Sequence, residues 1–249
     1  MSKIPRDHPR YHSLKTREKI SDAMKEGLVH STGLIAHGRG EAFDYLFGEK
    51  TNNFADISEK VAACVLLLAD DPVISVNGNV VSLSSKDCVI LSETIPAKIE
   101  VNLFHRTDER IRLLTDRLKS DGSKKVYGLS GDAKITGLSH DRGICDKDGI
   151  FSSDLVLVPL EDGDRCKALK DMGKKVITID LNPLSRTAKT ADITIVDNII
   201  RAIPNIIKWA KDLKEKDGEY LREIIDSYDN EKNLKESLDF ISKRLNSLD

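Results

Sequence analysis

The sequence predicts an open, mostly parallel α/β sheet with helices on both faces, carrying helical extensions on its N-terminal and C-terminal sides. Three observations predict it. Short apolar, β-branched runs recur between residues 72 and 196, helix-like segments separate most of them, and polar turns (VNGN, FHRT, LSGD, DLNP, VDN) follow where runs end. Strands alternating with helices favour one parallel sheet wound on both sides. Polar turns beyond the carboxyl ends of such strands are where an open sheet holds its ligand.

The elements follow in order. Ser13 to Glu26 has apolar residues at Leu14, Ile20, Ala23 and Met24, a serine to cap it and Gly27 to stop it, which predicts a helix. A second helical stretch covers roughly Thr32 to Phe47, and a third runs from about Ala55 to Ala69, before Asp70-Asp71-Pro72. Within the second, each glycine of Gly38-Arg39-Gly40 disfavours helix by roughly 1 kcal/mol relative to alanine, so a bend or close approach is expected there. Strand-like runs then occupy 73–76, 98–104, 125–129, 154–160, 175–179 and 192–196. Thr107 to Gly122 is a helix with Thr107 as N-cap and Ile111, Leu114 and Leu118 on one face. Residues 217–249 show no strand signal and dense charge, which predicts one or two amphipathic helices. No repeat, low-complexity tract or Gly/Ser linker interrupts the chain. Residues 1–249 therefore read as a single α/β domain, with a helical extension over 1–71, a core over 72–214 and C-terminal helices over 215–249.

Composition narrows the function. Lys+Arg number 39 against 41 Asp+Glu, a net charge of -2, so no global positive field favours nucleic acid or an anionic membrane. Any anion site must be local. MSKIPRDHPRYHS lacks the apolar stretch of a signal peptide, and the longest apolar run, Val61 to Ala69, is too short to span a bilayer. A cytoplasmic location is expected. Cys64, Cys88, Cys145 and Cys166 are scattered without a C-x-x-C pair, which fits reduced thiols better than disulfides or a zinc site.

Neither a G-x-x-x-x-G-K-[ST] phosphate loop nor a G-x-G-x-x-G after the first strand is present. A nucleotide on this sheet would have to use the polar turns. Asp180 and Asn182 offer acceptors and a donor to ribose hydroxyls or an adenine edge, and Arg186 can meet a phosphate in a bidentate fork. The same residues also suit a turn at Asn182-Pro183 and a helix cap at Asp197-Asn198. His105-Arg106-Thr107 precedes a helix N-terminus, which suits a phosphate as well as an ordinary cap. Arg17 on its own reads as a solvated charge.

Five stretches in one order carry a resemblance: IPRDHPRYHSLKTREKI, GLIAHGRGEAFDYLFGE, ISVNGNV, AKIEVNLFHRTDER and DLNPLSRTAKTADITIVDNIIRAIPNI. From about Ile4 to Lys214 the chain resembles the archaeal 4-phosphopantoate:beta-alanine ligase family, the phosphopantothenate synthetases. The resemblance implies a Rossmann-like core, a homodimer and a step of coenzyme A biosynthesis. In that step ATP, 4-phosphopantoate and beta-alanine give AMP, diphosphate and 4'-phosphopantothenate through an acyl adenylate, with Mg²⁺ assisting. It also assigns ATP to Arg17, Arg39, Asp180, Leu181, Asn182, Arg186, Thr187, Asn198 and Ile199. Strand-end placement adds Arg106, with a helix N-terminus behind it, toward the phosphate of 4-phosphopantoate, Asn77 and Asn79 toward its hydroxy acid, and His105 as a further substrate contact. His105, His37 and Asp180 stay open as the base for the amine. A non-catalytic nucleotide-sensing domain and an NAD-dependent enzyme with a deoxyhypusine-synthase-like sheet are the competing readings. The arginine-bearing N-terminal helices weigh against both.

Overall fold

The computed structural model describes residues 4–160 and 162–247; the outermost residues of the two expected helical extensions lie outside the described residues. In chain order the strands are β1 Pro72–Val76, β2 Lys98–Val101, β3 Ala133–Lys134, β4 Ile144–Cys145, β5 Leu155–Pro159, β6 Lys175–Ile179 and β7 Ile193–Ile195. Five of them form a parallel sheet in the order β2-β1-β5-β6-β7, while β3 and β4 pair as a small antiparallel ribbon. Counted within the sheet alone, this is the doubly wound order 2-1-3-4-5, whose winding reverses between β1 and β5.

Register explains the two-sided core. Ile99, Ile74, Leu157, Ile177 and Ile193 stand side by side across all five strands. Successive side chains alternate faces, so Val73, Val156 and Val176 form the corresponding row on the other side. The first row packs with α3 (Asn53–Leu68), α4 (Gly78–Thr94) and α8 (Ile199–Leu213) into the largest apolar cluster. The second packs against α6 (Gly163–Asp171) and the chain around β3 and β4, through Ile135, Cys145, Ile150, Cys166 and Leu169. Helices thus cover both faces, with the second partly closed by the ribbon. All four cysteines are buried and free. Among the described residues no helix is long and apolar enough to cross a membrane.

Three local expectations change. The first helix begins at Tyr11 with Arg10 at its N-cap, so Ser13 lies inside it and bonds Glu41 instead of capping it. The run 125–129 supplies only a single bridge, Tyr127 beside Glu100. Gly128 then takes φ +108°, and a Cβ there would lie 2.3 Å from the Val101 carbonyl oxygen, so the chain turns off the sheet edge. The helix α2 (Ser31–Phe47) passes unbroken through Gly38 and Gly40. Its close approach falls instead at Gly33, where a Cβ would sit 2.5 Å from Asn79 Oδ1. The remaining helices are α1 (Tyr11–Lys25), α5 (Asp108–Ser120), the short α7 (Arg186–Thr190), α9 (Gly218–Asp226) and α10 (Asn230–Asn246). Leu160, directly after β5, holds a left-handed φ of 56° between two anchors. Its N–H donates to the Ile179 carbonyl at 3.1 Å, and its own carbonyl accepts from Asn77 Nδ2 at 3.2 Å.

Candidate functional site

The turn after β6 is built from its own polar atoms. Asp180 Oδ1 accepts the Asn182 N–H at 2.9 Å, Asp180 Oδ2 accepts the Ser185 hydroxyl at 2.5 Å, and Asn182 Oδ1 accepts the Leu184 N–H at 3.0 Å. Ser185 Oγ in turn caps α7 by accepting from Ala188 N–H. After β7, Asn198 caps α8 through Ile200 N–H and donates from Nδ2 to Asp44 on α2 at 2.8 Å. Local bonding fixes these turns, so their outward edges are presented rigidly.

They face a cavity of about 290 Å³ beyond the carboxyl ends of β5, β6 and β7. Its walls bring together Arg39, Asp180, Leu181, Asn182, Arg186, Thr187, Asn198 and Ile199, with His37 and Glu41 from α2 and Asn79 from α4. Arg17 does not line it. Its Nε donates to Glu41 at 2.6 and 2.9 Å, so it meets the cavity through that carboxylate. Arg39 is exposed at the mouth and forms no hydrogen bond or ion pair among the described residues. Arg186 pairs with Asp164, and Gly163 lets it pass, because a Cβ there would lie 2.5 Å from Arg186 Cβ.

Three ionisable groups are tuned by this setting. Burial raises the Asp180 carboxyl above its ordinary value, although Ser185, Asn182 and the charge of Arg39 oppose the rise. Burial also acts upward on Glu41, but hydrogen bonds from Ser13 and Arg17 outweigh it and leave the group below its usual range. Burial lowers the pKa of His37, so the ring is neutral at pH 7, and its Nε2 is buried without a partner. His37 separates the large cavity from a smaller one of about 80 Å³ that also touches Arg10, Asp44 and Arg201.

A third cavity, of about 200 Å³, adjoins the first and shares Ala36, Asn79 and Leu160 with it. It contains Asn77, Asn79 and His105, but also His30, Arg110 and Arg142, which the sequence did not single out. Asn77 has structural duties there, capping α4 by accepting Val80 N–H at 3.1 Å and tying β1 to β5 through Leu160. Asn79 Nδ2 donates to the Gly33 carbonyl at 2.9 Å. Arg106 lines neither cavity; its Nη2 turns to the Gly128 carbonyl at 2.7 Å. The Ser130-Gly131-Asp132 turn also has a structural role, with Gly131 N–H donating to Asp146 Oδ1 at 2.7 Å. Among the described residues no group of three or more His, Cys, Asp or Glu side chains could hold a metal ion.

Comparison with known proteins identifies the family. The sequence model of the phosphopantothenate/pantothenate synthetase family matches residues 54–244. A Methanosarcina mazei protein named 4-phosphopantoate--beta-alanine ligase is 51% identical over 248 residues, covering 100% of this chain and 98% of the relative. A Thermococcus kodakarensis protein of the same name is 51% identical over 249 residues, covering 100% of this chain and 95% of its own. A third of that name, from Methanospirillum hungatei, is 53% identical over 212 residues, 85% of this chain and 86% of its own.

Proposed function

Since the chain belongs to the phosphopantothenate/pantothenate synthetase family and is a ligase of coenzyme A biosynthesis, we propose that it joins 4-phosphopantoate to beta-alanine at the expense of ATP. The carrying observation is that residues of the family's long motifs, far apart in the chain, converge on one cavity at the strand ends. Asp180, Asn182 and Asn198 supply the acceptors and donors that a nucleoside needs. Arg39 and Arg186 supply the cations for its phosphates, and Arg17 holds Glu41 at the rim.

A carboxylate resists attack by an amine because it is already anionic and oxide is a very poor leaving group. Adenylation removes both obstacles. A carboxylate oxygen of 4-phosphopantoate bonds to the α-phosphorus of ATP, and the bond from that phosphorus to the bridging oxygen breaks, releasing diphosphate. The neutral amine of beta-alanine then bonds to the acyl carbon, AMP departs with the electron pair, and one proton leaves the nitrogen. His37 is the base the geometry favours, with a neutral ring and an unpartnered Nε2 between two cavities. The Asn182 N–H and the Ser185 hydroxyl of Asp180's own turn already occupy its carboxylate, and His105 lies in the neighbouring cavity. Unpaired Arg39 is the group best placed to offset charge developing at the α-phosphate. Mg²⁺ would be carried by the phosphates of ATP, where it would offset their charge alongside Arg39 and Arg186. Two copies form a homodimer in the cytoplasm; light scattering that finds an active monomer would oppose the dimer.

The test is isotope exchange. With ATP, Mg²⁺ and 4-phosphopantoate but no beta-alanine, labelled diphosphate is expected to enter ATP. Release of ADP and phosphate would refute the adenylate route, and ATP binding without exchange would favour a nucleotide sensor.

A further inference from the structure

We propose that Glu59 acts as a neutral acid whose hydrogen bond to Asp197 positions the turn that opens α8, and with it Asn198 at the nucleotide cavity. Glu59 lines neither that cavity nor the two beside it, so it acts at one remove from the nucleotide. The nucleotide's part rests on the ligase reading; the carboxyl pair rests on geometry alone. Glu59 stands on the buried face of α3 and is fully enclosed. Two side chains bridge it to Asp197. Asn205 on α8 donates from Nδ2 to Glu59 Oε2 at 2.9 Å and to Thr51 Oγ1 at 3.2 Å, and the Thr51 hydroxyl donates to Asp197 Oδ2 at 2.6 Å. The Glu59 and Asp197 carboxyls themselves lie within hydrogen-bonding reach. An ionised carboxylate only accepts, so a bond between the two needs a proton on one of them.

The donors decide which. Asp197 Oδ1 accepts Asn198 N–H at 2.7 Å and both Nε and Nη2 of Arg201, while Oδ2 accepts Thr51, so Asp197 is held as the anion. Glu59 receives Asn205 alone, and its Oε1 has no donor among the described residues. The charged groups facing it are acidic: Asp197 after β7, and Asp56 one turn back on α3. Arg201 is bonded to Asp197 and Asp44 instead, and α9 and α10 meet α3 through apolar side chains, Leu221 and Phe240 among them. Burial first, and the Asp197 charge second, push the Glu59 carboxyl up to about 9. The proton is therefore kept at pH 7 and lost as pH passes about 9, where two adjacent anions repel. Asp197 fixes Asn198 N–H directly and, through Arg201, fixes Asp44, which accepts Asn198 Nδ2 at 2.8 Å. A displaced Asp197 thus loosens Asn198 on two sides.

The experiment has two readouts on the wild type, Glu59→Gln and Glu59→Leu: the infrared carbonyl band of a protonated carboxyl, and calorimetric binding of ATP with Mg²⁺. At pH 8 the wild type is expected to show that band, which disappears in Glu59→Gln and, in the wild type itself, as pH passes about 9. Glu100, at about 7, is largely ionised at pH 8 and contributes little. The wild-type dissociation constant for ATP is expected to rise about tenfold from pH 8 to pH 10, one unit beyond the Glu59 transition. Glu59→Gln, whose amide donates to Asp197 without titrating, is expected to stay within about twofold over that range. Glu59→Leu, which has no donor, is expected to bind ATP about threefold or more weakly already at pH 8. A merely structural glutamate would leave the same alkaline loss in Glu59→Gln as in the wild type, which overturns the proposal. So does a wild type without the acid band at pH 8, or a folded Glu59→Leu with wild-type affinity. Should Glu59→Leu not fold by circular dichroism, the wild-type and Glu59→Gln profiles decide. If the wild type binds no ATP, the nucleotide reading fails and the positioning of Asn198 with it, while the infrared band still decides the carboxyl pair.

Discussion

Glu100 on β2 is fully buried, and both its carboxylate oxygens are occupied. Oε1 accepts Asp146 N–H at 3.1 Å and Oε2 accepts Ile150 N–H at 2.6 Å. Gly149 makes room, since a Cβ there would meet Oε2 at 2.0 Å. Burial pushes this carboxyl up to about 7, although the two N–H groups favour the charged form. A group whose pKa is higher folded than unfolded binds more protons in the native state between the two values. Its stabilising contribution is complete below the unfolded pKa near 4.5 and is lost as pH rises through about 7, to an extent of roughly 3 kcal/mol. Urea unfolding of the wild type and of Glu100→Gln from pH 4.5 to 8 is the check. The wild type is expected to lose stability with pH relative to the variant, and parallel profiles would contradict this. Nothing in the sequence signals the arrangement, because in KIEV a glutamate reads as an outward polar position. Its partners lie 46 and 50 residues away.

At the scale of elements, α2 is fastened to α8 by charge. Arg201 Nη2 reaches Asp44 Oδ1 at 2.6 Å and Asp197 Oδ1 at 2.5 Å, and both carboxylates are buried. Removing one partner of a buried ion pair leaves uncompensated charge, which typically destabilises by about 3–5 kcal/mol. Arg201→Met is expected to lose stability of that order in urea unfolding and to slow diphosphate exchange, because α2 also carries His37 and Arg39. A loss below about 1 kcal/mol would show that solvent already screens the pair. The helices α1, α2, α3 and α5 were legible from their apolar spacing and stop residues, and five of six strand runs from their β-branched composition. What failed was local. Gly38 and Gly40 suggested a bend, but no neighbour lies within 4 Å of Gly38, and α2 tolerates both. The ribbon of β3 and β4 is two residues per strand, too short for alternation to show in the sequence.

For the whole molecule, the expected extensions pack on the core through shared apolar clusters. The main apolar cluster runs from Ile20 on α1 through the sheet to Leu221 on α9, and another joins Phe47 and Phe54 to Leu181, Leu234 and Ile241. We therefore propose that the chain unfolds as a single cooperative unit. Far-ultraviolet circular dichroism and the fluorescence of Trp209, the one tryptophan, are expected to give coincident urea transitions. Separate midpoints would divide the chain. The candidate site was legible to the extent that its residues stand next to strand ends, where topology alone brings them to one rim. Arg110, His30 and Glu41 escaped notice because they arrive there by helix packing, which no spacing in the sequence records.

The left-handed Leu160 bears on the economy of the reaction cycle. For a non-glycine residue that conformation costs about 1–2 kcal/mol, yet a leucine occupies it at the border of both cavities. An acyl adenylate is a mixed anhydride, and every encounter with water in place of amine would waste an ATP. Leu160's backbone is pinned by Ile179 on one side and Asn77 on the other, so an apolar side chain, which disfavours water, stands at the junction. The strain at one backbone angle is thus small beside the fuel that a leaking intermediate would squander.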